Sequence, residues 1–65
     1  MKVYVATSSL WGDWEILGVY KTLAAAKRAK SGGETPNAIR VYDLDEAGIA
    51  GIYTRPNWTG AWIEG

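Results

Sequence analysis

The segment KTLAAAKRAKSGG, residues 21–33, most constrains the fold, because it is the stretch of helical character in a chain of strand-like segments. Alanine has the highest helix propensity, Thr22 is a suitable N-cap, and Gly32 and Gly33 can end a helix. A lone helix covers one face of a sheet. The other face must be polar, or something else must cover it.

The segments on either side of this helix are rich in β-branched and aromatic residues and alternate with period two, which predicts strands. We expect a two-layer α+β domain of order ββαββ, in which an antiparallel four-stranded sheet carries the helix on one face. Residues 1–65 form a single small domain, and an aromatic tail at 55–65 packs on the sheet or its rim, or adds a short fifth strand. The predicted strands are 2–8, 14–20, 39–45 and 49–54, with a turn at 9–13.

The chain has 65 residues, no cysteine and no histidine. A chain this short buries only about 60% of its unfolded surface. Disulfides and cysteine or histidine metal sites are excluded as sources of stability, which leaves oligomerisation or an aromatic core. Four tryptophans and four tyrosines are present, and both residue types suit interfaces.

Charge and hydropathy exclude several function classes. Seven basic and seven acidic residues cancel, so the chain is a poor match for duplex nucleic acid. No apolar run approaches the roughly 20 residues that span a bilayer, and the first residues do not resemble a signal peptide. We expect a cytoplasmic protein with no cofactor.

Alternation assigns the strand residues to two faces. The aliphatic set is expected under the helix, namely Val3, Val5, Leu17, Val19, Ile39 and Val41. The opposite face is then aromatic, and holds Tyr4, Ile16, Tyr20, Tyr42, Leu44 and Tyr53. The tail, through Trp58 and Trp62, can cover this face, as can a second copy or a ligand. A homodimer that buries Tyr4, Ile16 and Tyr42 is the prediction.

Strand directions place a second group of residues together at one end of the sheet. This group is expected to comprise Trp11, Trp14, Trp58, Trp62, Arg40, Arg55 and Lys30. Aromatic rings mixed with cations can stack on a nucleobase, so the group is a candidate site for a small nucleotide. The alternative is that the tryptophans close the open end of a small core.

Catalytic chemistry is sparse. Asp43 and Asp45 alternate onto one strand face beside Glu46, a pattern that fits either a solvated hairpin or an oxygen site for Mg²⁺. The serines have no histidine to activate them. We therefore expect no enzymatic activity.

The segments KVYVATS (Lys2–Ser8) and GVYKT (Gly18–Thr22), followed by Ala26, resemble the opening of small uncharacterised domains found in phage and bacterial genomes. Those domains begin with a KVYVVTSG-like strand and enter their helix through a GVFST-like turn. The resemblance covers about a third of the chain, implies no activity, and favours a phage or mobile-element origin. Our hypothesis is a non-catalytic protein that binds and inhibits a host protein. The alternatives are a nucleotide or small-ligand binder that uses the tryptophan and arginine group, and a purely structural homodimeric domain.

Overall fold

The computed structural model describes residues 1–11, 13–30, 33–55 and 60–65, apart from the side chains of residues 10, 11, 13 and 14. The described residues form five strands and a short helix. In chain order these elements are β1 (Lys2–Trp11), β2 (Asp13–Tyr20), α1 (Leu23–Lys27), β3 (Ala38–Asp43), β4 (Ile49–Thr54) and β5 (Ile63–Glu64). No helix of this described part is long and apolar enough to span a bilayer.

The strands of the described chain form one antiparallel sheet in the order β2-β1-β3-β4-β5. The expected α+β class with an antiparallel sheet is confirmed. The sheet has a short fifth strand beyond the four expected, one of the two arrangements left open for the tail, because Ile63 pairs with Thr54 and Glu64 pairs with Tyr53. The tail thus extends the sheet at the β4 edge, and the order of the described elements is ββαβββ.

The turn predicted for residues 9–13 joins two antiparallel strands as expected, but it is shorter than predicted. β1 continues to Trp11, which pairs with Asp13 at the start of β2, and residue 12 lies outside the described residues. Ser9 stays in the strand because Asn37 provides hydrogen-bond partners for its backbone and its side chain. The Ser9 N–H donates to Asn37 Oδ1 at 3.2 Å, and Asn37 Nδ2 donates to Ser9 Oγ at 3.0 Å. A tertiary contact therefore overrides the turn preference of this serine-rich stretch.

The helix begins as predicted and ends early. Thr22 Oγ1 accepts a hydrogen bond from the Ala25 N–H at 3.2 Å, which caps the first turn. After Lys27 the backbone tightens, because the N–H groups of Arg28 and Ala29 bond to carbonyls three residues earlier. This turn brings Ala29 into the core, where it is 4% exposed.

The core is built on small side chains. Its buried cluster consists of Ala6, Ala26, Ala29 and Ile39. The alanines let α1 lie close to the sheet, where it packs mainly against β1 and β2. Larger, half-buried side chains pack around this cluster, namely Tyr4, Leu17, Tyr20, Leu23, Tyr53 and Trp62.

The predicted faces are correct in β3 and wrong in β1 and most of β2. Tyr4 pairs with Val41, not with Tyr42, and Ala6 pairs with Ile39. Because paired residues share a face, Tyr4 lies on the side of the sheet that carries α1, which we call the helix side. Val3 and Val5 lie on the opposite side, which we call the open face. A shift of one residue in register moves every side chain of a strand to the other face.

Irregular pairing adds a second correction in β2. The register shifts between Ala6 and Thr7, so that Gly18 pairs with Ala6 while Ile16 pairs with Thr7. Leu17, the extra residue of this bulge, packs on the core cluster, whereas Val19 is 59% exposed on the open face. Strict alternation cannot reveal such a shift.

Asn37 joins the ends of three strands. Its side chain makes the two hydrogen bonds to Ser9 of β1 described above. Its N–H donates to the Thr7 carbonyl at 3.0 Å, and its own carbonyl accepts from the Arg55 N–H at 2.8 Å, just beyond β4. Thr7 and Ser9 of β1, and Arg55 just after β4, are therefore held beside the first residue of β3.

We expect Asn37→Ala to lower the free energy of unfolding by about 1–3 kcal/mol, because the substitution leaves the partly buried Ser9 N–H without its acceptor. Asn37→Asp keeps an acceptor for that N–H and should lose less. Urea unfolding followed by circular dichroism measures both variants. Equal losses of unfolding free energy in the two variants would contradict the role assigned to the Asn37 side-chain oxygen as the acceptor for Ser9 N–H.

Candidate functional site

Two members of the predicted tryptophan and arginine group meet in the structure. The Arg55 guanidinium carbon lies 4.6 Å from the centre of the Trp62 ring. Arg55 Nη2 also donates to the Pro36 carbonyl at 3.1 Å, while its Nε is buried without a hydrogen-bond partner. Trp62 packs on the core cluster. The pair closes the core between β4 and the loop that precedes β3.

The stacking capacity of this pair is largely used within the protein. One face of the Trp62 ring carries the arginine, and the ring also packs against the core. A cation over an indole ring is a favourable contact in itself. The geometry therefore favours a structural role for Arg55 and Trp62 over a platform for a nucleobase.

The remaining members of the group do not assemble around this pair. Arg40 lies on the open face, where its Nη1 donates to Thr7 Oγ1 at 2.9 Å, so the structure places it on the opposite side of the sheet from Arg55. Lys30 is exposed. The side chains of Trp11 and Trp14 and all of Trp58 lie outside the described residues.

The predicted partner face is divided between the two sides of the sheet. Tyr4, Tyr20 and Tyr53 lie on the helix side, where they pack against the core cluster. Ile16 and Tyr42 lie on the open face, paired with Thr7 and Val3 respectively. The expected joint burial of Tyr4 with Tyr42 is therefore wrong, and the cause is the register of β1 against β3.

The open face is aliphatic rather than aromatic. Four of its side chains are more than half exposed: Ile16 at 55%, Val19 at 59%, Ile49 at 51% and Ile63 at 55%. Its described aliphatic members are Val3, Val5, Ile16, Val19, Ile49, Ile52 and Ile63. Arg40 lies among them, between Val5 of β1 and Ile52 of β4. Several exposed aliphatic side chains on one sheet face are typical of an interaction site.

A groove of about 150 Å³ lies on the helix side and is lined by residues of β1, β3, β4 and β5. Its floor includes Val41 and Gly51, which are paired across β3 and β4. Its full lining comprises Lys2, Tyr4, Val41, Ala50, Gly51, Ile52, Tyr53 and Glu64. The groove thus combines two aromatic rings with one cation and one carboxylate.

Two charged side chains, Glu64 and Lys27, lie next to Tyr53 at one wall of this groove. Tyr53 Oη donates to Glu64 Oε2 at 2.9 Å, and Lys27 Nζ lies 5.9 Å from the centre of the Tyr53 ring. The hydrogen bond to the carboxylate raises the pKa of the Tyr53 hydroxyl, and desolvation raises it further. Tyr53 and Glu64 therefore form a fixed pair, held by the short β4–β5 ladder.

The candidate acidic site binds the amino terminus instead. The Met1 ammonium group lies 2.8 Å from Asp45 Oδ2 and 3.5 Å from Asp43 Oδ1. The Asp45 N–H also donates to Asp43 Oδ1 at 3.0 Å, which shapes the β3–β4 turn. Among the described residues no group of three acids is arranged to hold a metal ion.

Comparison with known proteins assigns neither a family nor a function to the chain. No family model matches the chain. No curated protein and no solved structure shows significant similarity to it.

Sequence reasoning missed the groove, although one signal for it was present. Gly51 lies inside the predicted strand 49–54, and a glycine within a strand often marks either a bulge or a close approach by a ligand or another backbone. The β3–β4 register shifts beside it, between Val41 and Tyr42. Lys2 and Glu64 carried no local pattern, because only the sheet order brings β1 and β5 to the two sides of β3 and β4.

We expect Trp62→Ala to lower the free energy of unfolding by about 2–3 kcal/mol, because the substitution opens the core cluster and exposes Arg55. Trp62→Phe retains a ring for both contacts and should lose much less. Urea unfolding of the two variants measures the difference. An unfolding free energy for Trp62→Ala equal to that of the unmodified protein would contradict the structural role.

The amino-terminal ion pairs predict a stability that falls at both ends of the pH range. Hydrogen bonding to Asp45 raises the pKa of the Met1 amine above 8.0, so its stabilisation is complete below pH 8.0 and is lost as the pH rises through the folded value. The Asp45 N–H lowers the pKa of Asp43 below 3.8, so that stabilisation is present above pH 3.8 and is lost as the pH falls through the folded value.

Thermal unfolding across the pH range measures this dependence. The melting temperature should be highest between about pH 4 and pH 8. Tyr53 titrates above pH 10.0, so the decline below that pH reports the amine. Asp45→Asn should flatten the alkaline decline. A decline of the same size in Asp45→Asn and in the unmodified protein would contradict the assignment.

Proposed function

We propose that this chain is a non-catalytic binding protein that forms a homodimer through the open face of its sheet. The observation that carries the proposal is the exposure of Ile16, Val19, Ile49 and Ile63, each more than half exposed on the same face of the sheet. Polar alternation on that face would have indicated contact with water alone.

The small side chains of the core favour a dimer in which a second copy covers the open face. The buried cluster under the helix contains three alanines and one isoleucine, so it buries little apolar volume. Full burial of one large aliphatic side chain contributes about 1.5–3 kcal/mol, and a domain of this size has a total stability of about 5 kcal/mol. Cover for several aliphatic residues would thus supply stability comparable with that of the whole domain.

The size of the face suits a second copy. The two largest perpendicular extents of the molecule, 32 and 22 Å, bound a face of about 700 Å². A standard interface buries about 800 Å² on each partner. Two-fold symmetric dimers are the commonest closed assemblies, and two sheets pack face to face at a separation of about 10 Å.

Binding of a host protein is the activity that we propose for this dimer, in the cytoplasm and in a phage or mobile-element setting. The phage setting rests on the resemblance of Lys2–Ser8 and Gly18–Thr22 to small phage domains. Face-to-face dimerisation leaves the helix side and the end of the sheet that holds Arg55 and Trp62 exposed to a partner.

The dimer is tested by a charge placed on the open face. The unmodified protein should show twice the 7.1 kDa mass of the chain in light scattering at high micromolar concentration. Val19→Glu should give monomers, because the interface would bury an unpaired carboxylate from each copy. Ala24→Glu adds the same charge on the exposed surface of α1 and should remain dimeric. A mass of 7.1 kDa for the unmodified protein would contradict the dimer.

A further inference from the structure

The outer edge of β4, which faces away from β3, is only partly covered by β5. The ladder between β4 and β5 includes Tyr53 and Thr54, and the Gly65 N–H donates to the Ile52 carbonyl at 2.9 Å. Within the described ranges no strand pairs with the first half of this edge, at 49–51. The edge of a sheet with free backbone N–H and carbonyl groups is a template for a further strand.

The side chains along this edge contact alternate residues of the tail. Tyr53 Oη donates to Glu64 Oε2 at 2.9 Å, and the Arg55 guanidinium carbon lies 4.6 Å from the centre of the Trp62 ring. Each contact is two positions from the other on both strands. When a strand is added to a sheet edge, backbone pairing gives the affinity and alternate side chains give the specificity. The edge therefore holds an aromatic residue and, two positions later, a carboxylate.

The receiving groups are held by the rest of the sheet and not by the tail. The Arg55 N–H donates to the Asn37 carbonyl at 2.8 Å, and Arg55 Nη2 donates to the Pro36 carbonyl at 3.1 Å. The Tyr53 ring packs on the core cluster and has Lys27 Nζ at 5.9 Å from its centre. Groups that are positioned before binding lose less entropy when a ligand arrives.

The tail itself is attached by few buried groups. In the range 60–65, Trp62 is half-buried, Ile63 is 55% exposed, and the other residues are exposed as well. Segments with few buried apolar contacts open at a lower free energy than the whole domain. The tail can thus leave the edge while the rest of the sheet stays folded.

We propose that the edge of β4 binds an extended segment of a partner protein, which displaces the tail and carries an aromatic residue followed, two positions later, by a glutamate. A longer partner strand would also pair with 49–51, so it gains backbone hydrogen bonds that the tail lacks. This inference rests on the proposed binding of a partner protein and specifies the chemistry of that partner. It does not depend on the dimer through the open face.

A synthetic peptide tests the site. The peptide GAWIEGTVT, blocked at both ends, repeats residues 60–65 and adds three residues for the uncovered part of the edge. Titrated into the isotope-labelled full chain, it should shift the amides of Ala50, Ile52 and Thr54 in a saturable way. The peptide GAWIEG should bind about tenfold more weakly, because it lacks the added pairs. Unshifted β4 amides at millimolar peptide, or equal binding of the two peptides, would overturn the proposal.

A double-mutant cycle tests the side-chain specificity. Alanine in place of the tryptophan or of the glutamate of the peptide should weaken binding about tenfold and about fivefold, respectively. In Tyr53→Phe the hydroxyl donor is absent, so the peptides with glutamate and with alanine should bind equally. A glutamate effect of the same size in Tyr53→Phe and in the unmodified protein would overturn the assigned contact.

Competition by the tail is measured in the chain itself. Glu64→Ala removes the hydrogen bond between the tail and Tyr53, and it should raise the affinity for the peptide about fivefold, because the edge is open in a larger fraction of the molecules. Glu46→Ala removes the same charge from the exposed β3–β4 turn and should leave the affinity unchanged. Equal affinities of Glu64→Ala and the unmodified protein would overturn displacement of the tail.

The same titration of Val19→Glu separates this proposal from the dimer. That variant should bind the peptide as the unmodified protein does, and a failure of peptide binding would leave the light-scattering test of the dimer unaffected. A mixture of labelled and unlabelled chains without peptide tests a second copy as the occupant. Contacts between the tail of one copy and β4 of another in that mixture would assign the edge to self-association and overturn the partner segment.

Discussion

The register between β1 and β3 is the constraint on which the rest of the structure depends. It places Ala6 opposite Ile39 and Tyr4 opposite Val41. These pairs put the smallest side chain of β1 beneath the helix, and the alanines of α1 can then approach the sheet closely. Asn37 holds this register at one end through Thr7 and Ser9, because its backbone and side chain both bond to β1.

Close approach of a short helix has two structural consequences. The five residues of α1 lie mainly against β1 and β2, and a groove remains on the helix side where Val41 of β3 pairs with Gly51 of β4. The same register turns Val3 and Val5 away from the helix, and the aliphatic side chains collect on the open face. Both candidate surfaces therefore follow from the alignment of the same two strands.

Several groups that suggested chemistry in the sequence have structural partners in the fold. Arg55 lies over Trp62 and bonds to the loop before β3, and Asp43 and Asp45 hold the amino terminus. A charged group whose hydrogen bonds are made within the protein contributes to its geometry. The aliphatic side chains of the open face remain directed outward, and the proposed function rests on them.

The sequence alone determined the types of its elements, because those depend on local chemistry. Alternation gave the strands near residues 2–8 and 49–54, Thr22 gave the helix start, and strand directions placed the ends of β1 and β4 at one end of the sheet. Only the tertiary structure decided which face each strand presents, where the helix ends, and that β5 joins the sheet. These features depend on one-residue register, on the bulge at Leu17 and on contacts such as Ser9 with Asn37, and each is set by residues distant in the chain. The groove belongs to the same class, because Lys2 and Glu64 are 62 positions apart in the sequence and adjoin one cavity only through the strand order.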